Sequence, residues 1–226
     1  DLRACVVELL IAAQRYRAYV RPGQAADPDQ AAVLHADAER ARSCLEADQS
    51  ETLDMVVALL LGDPVGSEGL TASPLRAEAV IRFQQVCGAV TAKGVEDTAF
   101  YRWTHLTSLT EVGGDPSGFA LGADEAHAWA DRVQDLWPCT MVTSTTHDTK
   151  RGEDVRARLD VLASYAEEWT DMIHRLRAAT EDVRPTDLDG RTENLLWQTL
   201  WGTWAPDSDD PMTAERLTAY LIKASR

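Results

Sequence analysis

A mainly α chain with at most one or two short strands is the fold this sequence predicts, and three observations predict it. Apolar residues recur at three- and four-residue steps in segment after segment, those segments are bounded by capping residues, prolines and glycines, and a single stretch has the β-branched run of a strand. One strand beside eight or so helices cannot make a sheet.

Leu2, Val6, Leu9, Leu10, Ala13 and Tyr16 predict an amphipathic helix over 2–20, ended by Pro22 and Gly23. Asp27 then reads as an N-cap with Pro28 at the first helical position, opening a helix to about Leu45 whose apolar side is mostly alanine. Ser50 opens a third, with Leu53, Val56, Val57, Leu60 and Leu61 inside and Gly62 as its stop. Residues 62–73, rich in Gly, Pro and Ser, read as a loop, after which Ser73 and Pro74 start a helix carrying Ala79, Phe83 and Val86 to Gly88.

From Gly88 to Gly122 the periodicity fades while glycines and charges crowd together, which marks the stretch for function. Asp124 starts a helix through about Trp137, with Ala126, Trp129, Val133 and Leu136 on one side and Pro138 as its stop. Cys139–Thr145 is the strand candidate and runs into Thr146-His147-Asp148-Thr149-Lys150-Arg151. A long helix follows from Glu153 to about Val183, spaced for burial at Val155, Leu159, Leu162, Ala166, Trp169, Ile173 and Leu176, and two more lie near 191–204 and 213–225. The organisation is therefore a helical subdomain over 1–87, site-bearing loops with one strand over 88–152, and a C-terminal helical segment over 153–226. Asp1 begins almost inside a helix and Lys223-Ala-Ser-Arg226 ends one without a cap, as expected of a fragment of a longer polypeptide.

Composition bounds the partners. The 226 residues are 45% hydrophobic and 26% charged, with a net charge of −15, which excludes collagen-like, disordered and disulfide-stapled classes. The longest apolar run, Met55–Leu61, is too short to span a bilayer, and the N-terminus has no signal-peptide pattern, so a cytoplasmic location is expected. The acidic balance argues against nucleic acid and anionic membranes, whose binding needs Lys and Arg. Cys5, Cys44, Cys87 and Cys139 have no CxxC spacing and read as reduced core residues, and neither a metal nor a cofactor is expected.

Three clusters could carry chemistry: Lys93-Gly-Val-Glu-Asp-Thr-Ala-Phe-Tyr-Arg102, Glu111-Val-Gly-Gly-Asp-Pro116 and Ser144-Thr-Thr-His-Asp-Thr-Lys-Arg151. Alone, His147-Asp148 is compatible with a solvated loop pair. A strand ending in His-Asp instead puts the carboxylate at the carboxyl edge of a sheet, where barrel enzymes gather catalytic groups. Lys150 and Arg151 follow at once and would keep Asp148 ionised. Lys93 and Glu96 alone read as an exposed ion pair one helical turn apart, Asp97 and Arg102 as loop-holding residues, and the second cluster as a turn. Trp129, Trp169 and Trp197 fall on helical stripes and read as core, whereas Trp103 stands beside a site cluster as a candidate sugar platform.

The segments KGVEDTAFYRW, LTEVGGDPS and WPCTMVTSTTHDTKRGEDVRARL resemble the maltooligosyltrehalose synthases, a family within the α-amylase superfamily of glycoside hydrolases. The resemblance is strongest from about Arg82 to Leu162, continues through Glu193–Gly202, and is loose over the first eighty residues. It implies a helical subdomain of a (β/α)8-barrel enzyme that converts the reducing-end α-1,4 linkage of a maltooligosaccharide into an α,α-1,1 linkage. In that superfamily two aspartates and a glutamate act on the sugar, one aspartate as the group that grips the ring beside an oxocarbenium-like transition state. Asp148 matches that aspartate, His147 would donate to the same sugar, and Lys93, Glu96 and Lys150 would surround the reducing-end glucose.

Motifs for the nucleophile and the acid/base do not occur in this sequence, so the resemblance implies an inactive fragment whose barrel comes from the remainder of the parent chain. Without partner strands, residues 139–152 are expected to be irregular. Two rival readings stand beside this one. A noncatalytic helical interaction module is what composition alone supports. An all-helical metal-dependent phosphohydrolase would use His127, His147, Asp148 and His174, against which His147-Asp148 follows a strand-like segment and has no second His-Asp pair.

Overall fold

The computed structural model describes residues 1–66, 73–205 and 211–225. The chain forms two compact units, Asp1–Asp97 and Thr98–Arg226. Both are helical, and no β-strand occurs among the described residues. The expected loop over 62–73 falls partly outside them, at 67–72.

In the first unit, α1 (Leu2–Ala12), α2 (Pro28–Arg42), α3 (Ser50–Leu61) and α4 (Pro74–Val90) pack around one apolar core. Cys5 and Leu9 of α1 lie one turn apart on a single face and are wholly buried with Leu53 of α3. Leu53, Val56, Val57, Leu60 and Leu61 form the stripe that the spacing predicts, and all five are buried. Gly62 ends α3 at φ 85°, and a Cβ there would sit 2.5 Å from the Gln24 carbonyl oxygen, so both the backbone conformation and the close approach require glycine.

The first helix is shorter than its periodicity predicts. Arg40 Nε donates to the carbonyl of Ala12 at 3.1 Å, closing the helix end, and Ala13 is already extended. Beyond it, Gln30 accepts from the amide of Tyr19 at 2.9 Å, while Gln84 accepts from the amide of Val20 at 3.3 Å and donates to its carbonyl at 2.8 Å. Partners up to 64 positions away along the chain thus take the backbone groups that a longer α1 would have used. The fourth helix, conversely, does not stop at Gly88. It runs to Val90 and continues as a π-helix over Thr91–Ala99 and α5 (Phe100–Arg102).

In the second unit, α6 (Ala123–Leu136), α7 (Glu153–Ser164), α8 (Ala166–Ala179), α9 (Gly190–Thr203) and α10 (Ala214–Ala224) follow. The helix expected from Glu153 to Val183 breaks at Tyr165, whose φ and ψ of −130° and 43° leave the helical region. Helices α7 and α9 pack so closely that a Cβ on Gly202 would lie 2.8 Å from Val155 Cγ1. Leu159, Leu162 and Leu195 are buried there.

Polar side chains make up much of the remaining core of this unit. Gln198 is fully buried, accepts from the Thr107 amide at 2.8 Å and hydroxyl at 3.0 Å, and donates to the carbonyls of Thr104 at 2.8 Å and His105 at 3.2 Å. Asp189 caps α9, accepting from the amides of Arg191 at 2.9 Å and Thr192 at 3.1 Å.

Several expected core positions are uncovered. Helix α6 has no buried residue, and Trp129 and Leu136 are more than half exposed, because no described element packs on the face they share. Trp169 and Trp197 are half-buried. Of the cysteines, Cys5 and Cys87 are in the core, but Cys44 lies in the turn after α2 and Cys139 in the stretch after α6, both exposed. All four are thiols.

Candidate functional site

Residues 139–145 form no strand, since a strand needs a neighbour to take its backbone groups. Their order comes from side chains instead. Thr143 Oγ1 donates to the carbonyl of Thr145 at 2.9 Å, Ser144 Oγ bonds the carboxylate of Glu153, and Thr145 Oγ1 accepts from the Glu153 amide at 3.1 Å at the start of α7.

The next four residues make a closed turn. The Thr149 amide donates to the Thr146 carbonyl at 3.3 Å, the Thr149 hydroxyl donates to the same oxygen at 2.8 Å, and the Thr146 amide donates to Thr149 Oγ1 at 3.2 Å. Thr146 Oγ1 accepts from the Asp148 amide at 3.2 Å. The two threonines therefore fasten the ends of the turn to each other, and His147 and Asp148 occupy its tip. Their side chains are 99% and 82% exposed and meet at 3.2 Å between Nδ1 and Oδ1. A carboxylate so placed has its acceptor oxygens open to a polar ligand.

Glu111 ties this turn to the unit. Its Oε1 accepts from the amide of Lys150 at 2.5 Å and its Oε2 from that of Arg151 at 3.0 Å, while Arg156 faces Oε2 at 3.6 Å. The backbone around Glu111 is shaped by Gly113, at φ 74°, and by Gly114, where a Cβ would meet the carbonyl oxygens of Leu109 at 2.8 Å and Glu111 at 2.9 Å. The same turn is closed by Asp115, whose Oδ1 accepts from the amide of Ser117 at 2.9 Å and from its hydroxyl at 2.7 Å; these bonds hold the carboxyl below its ordinary pKa. Arg151 completes the anchor, donating to the Thr107 carbonyl and to the Tyr220 hydroxyl, each at 3.1 Å. Burial pushes the Tyr220 phenol up, partly countered by the charge of Arg151. Lys150 is half-buried, with Nζ 5.0 Å from the centroid of the Tyr101 ring, a cation–π distance.

Lys93 and Glu96 belong to the first unit, on the π-helix. Lys93 Nζ reaches Asp97 Oδ2 at 2.6 Å with 77% of its side chain exposed, while Glu96 turns inward, 6% exposed, and accepts from the hydroxyl of Tyr16. π-Helical turns are rare and occur frequently at functional sites. Trp103 is half-buried against His105, ring centroids 5.0 Å apart. No group of three or more His, Cys, Asp or Glu side chains is arranged to hold a metal among the described residues, so His127, His147, Asp148 and His174 do not assemble as the phosphohydrolase reading requires.

The His147-Asp148 pair is legible in the sequence, whereas Glu111, Arg151 and Arg156 are not legible as its supports, since the bonds of Glu111 and Arg151 span up to 44 positions. The signal available was the pair of threonines flanking His147-Asp148 and the acidic residue placed two positions before a Gly-Gly pair.

The geometry sits in a chain with known relatives. No family model matches it. A protein of Mycobacterium tuberculosis described as a maltooligosyl trehalose synthase is 46% identical over 151 residues, which is 66% of this chain and 19% of that protein. The solved structure of maltooligosyltrehalose synthase from Arthrobacter ramosus superposes on the whole of this chain with a TM-score of 0.76 at 38% identity, over 26% of its own length. The hypothetical maltooligosyl trehalose synthase of Sulfolobus tokodaii gives a TM-score of 0.67 at 25% identity, over 96% of this chain and 25% of its own. The chain thus spans about a fifth to a quarter of the proteins it resembles.

Proposed function

We propose that this chain, similar along its full length to a segment of maltooligosyltrehalose synthases, serves as one segment of an intramolecular transglucosylase that turns the reducing-end α-1,4 linkage of a maltooligosaccharide into an α,α-1,1 linkage. The observation that carries the reading is the whole-length superposition on the Arthrobacter ramosus enzyme. In this reading Asp148 is the carboxylate that hydrogen-bonds the sugar ring at the cleaved linkage. As positive charge develops at the anomeric carbon, a fixed anion beside it stabilises the transition state more than the ground state. His147 donates to the same sugar. Lys150 holds the released reducing-end glucose while it reorients, so that its anomeric hydroxyl rather than water attacks the glucosyl-enzyme.

The site-bearing stretch is 88–152, flanked by the helical segments 1–87 and 153–226. The rest of a longer enzyme supplies the barrel, the nucleophile and the acid/base, and this segment alone turns over nothing. The exposure of Asp148 on an anchored turn and the uncovered face of α6 both fit a segment that is completed by other parts of a longer protein. Four free thiols fit a cytoplasmic setting, and no helix among the described residues is long and apolar enough to cross a membrane.

The test is a full-length protein carrying this segment, supplied with maltopentaose and assayed for a nonreducing product. Asp148→Asn should lower kcat by roughly a hundredfold or more, about 3 kcal/mol of transition-state stabilisation, with the fold intact by circular dichroism. Near-normal turnover in that variant would remove Asp148 from the mechanism.

A further inference from the structure

We propose that Glu111 is the positioning residue for Asp148, fixing the His147–Asp148 turn through the two backbone amides that follow it. The inference rests on the reading of Asp148 as the sugar-gripping carboxylate, and it assigns a role to a side chain that touches no substrate.

The geometry separates Glu111 from an ordinary surface carboxylate. Both of its oxygens are committed to consecutive main-chain amides, at 2.5 Å from Lys150 and 3.0 Å from Arg151, and only 14% of its side chain is exposed. Charge-assisted bonds of this kind are among the stronger ones available to a loop that has no ladder or helix of its own. Arg156, at 3.6 Å, offsets the carboxylate's charge and also donates to the Arg151 carbonyl at 2.6 Å and to the carbonyl of Ser144, so one guanidinium holds the stretch before and after the turn.

The hydrogen bonds of the turn itself join Thr146, His147, Asp148 and Thr149 to one another, and they set its shape without setting its place. Its place is set by Glu111, together with the two bonds that Arg151 makes to Thr107 and Tyr220. Lys150 is two residues from Asp148, so a shift of the Lys150 amide carries almost undiminished to the carboxylate. Displacements of about 1 Å in a catalytic group cost on the order of a hundredfold in rate.

Glu111→Gln tests this in a full-length protein carrying the segment. The amide is isosteric with the carboxylate, but only one of its two terminal atoms accepts, so it cannot serve both backbone donors. The expected result is a fall in kcat of about ten- to a hundredfold with KM changed by less than about threefold, and faster hydrogen exchange at the Lys150 and Arg151 amides. In the Asp148→Asn background the same change should cost less than about twofold, because Glu111 acts through a group already lost.

Unchanged kcat in Glu111→Gln, or an equal penalty in both backgrounds, overturns the positioning role while leaving Asp148 in place. Near-normal turnover in Asp148→Asn overturns both assignments, and so identifies the underlying reading as the one that failed. Should Glu111→Gln not accumulate as folded enzyme, the same readings are taken on Glu111→Asp, which keeps the charge opposite Arg156 but is one methylene too short to reach both amides.

Discussion

The exposure of His147 and Asp148 follows from a turn closed by the threonines on either side. Glu96 is instead buried, and its partner Tyr16 lies 80 positions away. Glu193, 2% exposed, is gripped by Arg184, with Nε at 3.1 Å from one oxygen and Nη2 at 3.0 Å from the other, and Arg177 stands 3.3 Å away. Burial alone would raise its carboxyl, but the hydrogen bond from Arg184 and the two positive charges outweigh it and hold the pKa below the ordinary value of 4.5. A depressed folded-state pKa adds stability that is full above the unfolded value and is lost as pH falls through the folded one. Glu193→Gln should therefore destabilise the chain by about 1–2 kcal/mol at neutral pH, and the gap from wild type should narrow as pH drops below the ordinary glutamate value. Urea midpoints of both proteins at pH 7 and at pH 3 measure it; a gap that stays constant would refute the ion-pair account. The cysteines give a second measurement. Burial pushes the Cys87 thiol up to about 11 and Cys5 is wholly buried, whereas Cys44 and Cys139 are exposed. A maleimide at pH 7 should label the two exposed thiols within minutes and spare the other two until denaturant is added.

At the scale of elements, caps and stops were readable and interruptions were not. Pro28, Ser73-Pro74 and Gly62 mark real boundaries because each acts on its own backbone. The early end of α1, the passage of α4 into a π-helix and the break at Tyr165 have no such local mark; side chains from other elements decide the first, and local backbone strength is too even to show the other two. Two glycines make the contrast measurable. Gly62 announces itself by ending an apolar stripe, and Gly202 is hidden inside a helix, yet each has a neighbour within 3 Å of where a Cβ would stand. Gly62→Ala adds an L-residue at positive φ to a backbone clash, together worth about 2 kcal/mol or more. Gly202→Ala meets Val155 Cγ1 at 2.8 Å and Leu159 Cγ at 3.3 Å, with the Val155 carbonyl oxygen no closer than 3.4 Å, so about 1–2 kcal/mol is expected from overpacking between α7 and α9. Thermal melts should rank Gly62→Ala below Gly202→Ala, and the reverse order would show that the α7–α9 seam is the stiffer of the two.

Across the whole molecule, burial is distributed very unevenly, and this sets where the chain opens first. Helix α3 contributes five buried side chains, and Leu159 of α7 and Gln198 of α9 are fully inaccessible, whereas α6 contributes none and Trp129, Leu136 and Trp137 beside Met141 and Val142 remain exposed. Amides open with a free energy that tracks local burial, from the global value in a core helix to nearly nothing where no tertiary contact supports the hydrogen bonds. An isolated amphipathic helix of α6's 14 residues is itself marginal in water. Hydrogen exchange on this chain should therefore find α3, α7 and α9 slow and α6 with residues 139–149 faster by about a hundredfold or more. The same argument separates the readings of the molecule. If the segment works within a longer transglucosylase, the apolar side of α6 is covered there, and its amides should gain protection in the full-length protein while those of α3, already buried, change little. Equal exchange from α6 in the two settings would mean that its exposed tryptophans are not completed by the rest of a longer chain, and would favour a helical module that acts through that face on its own.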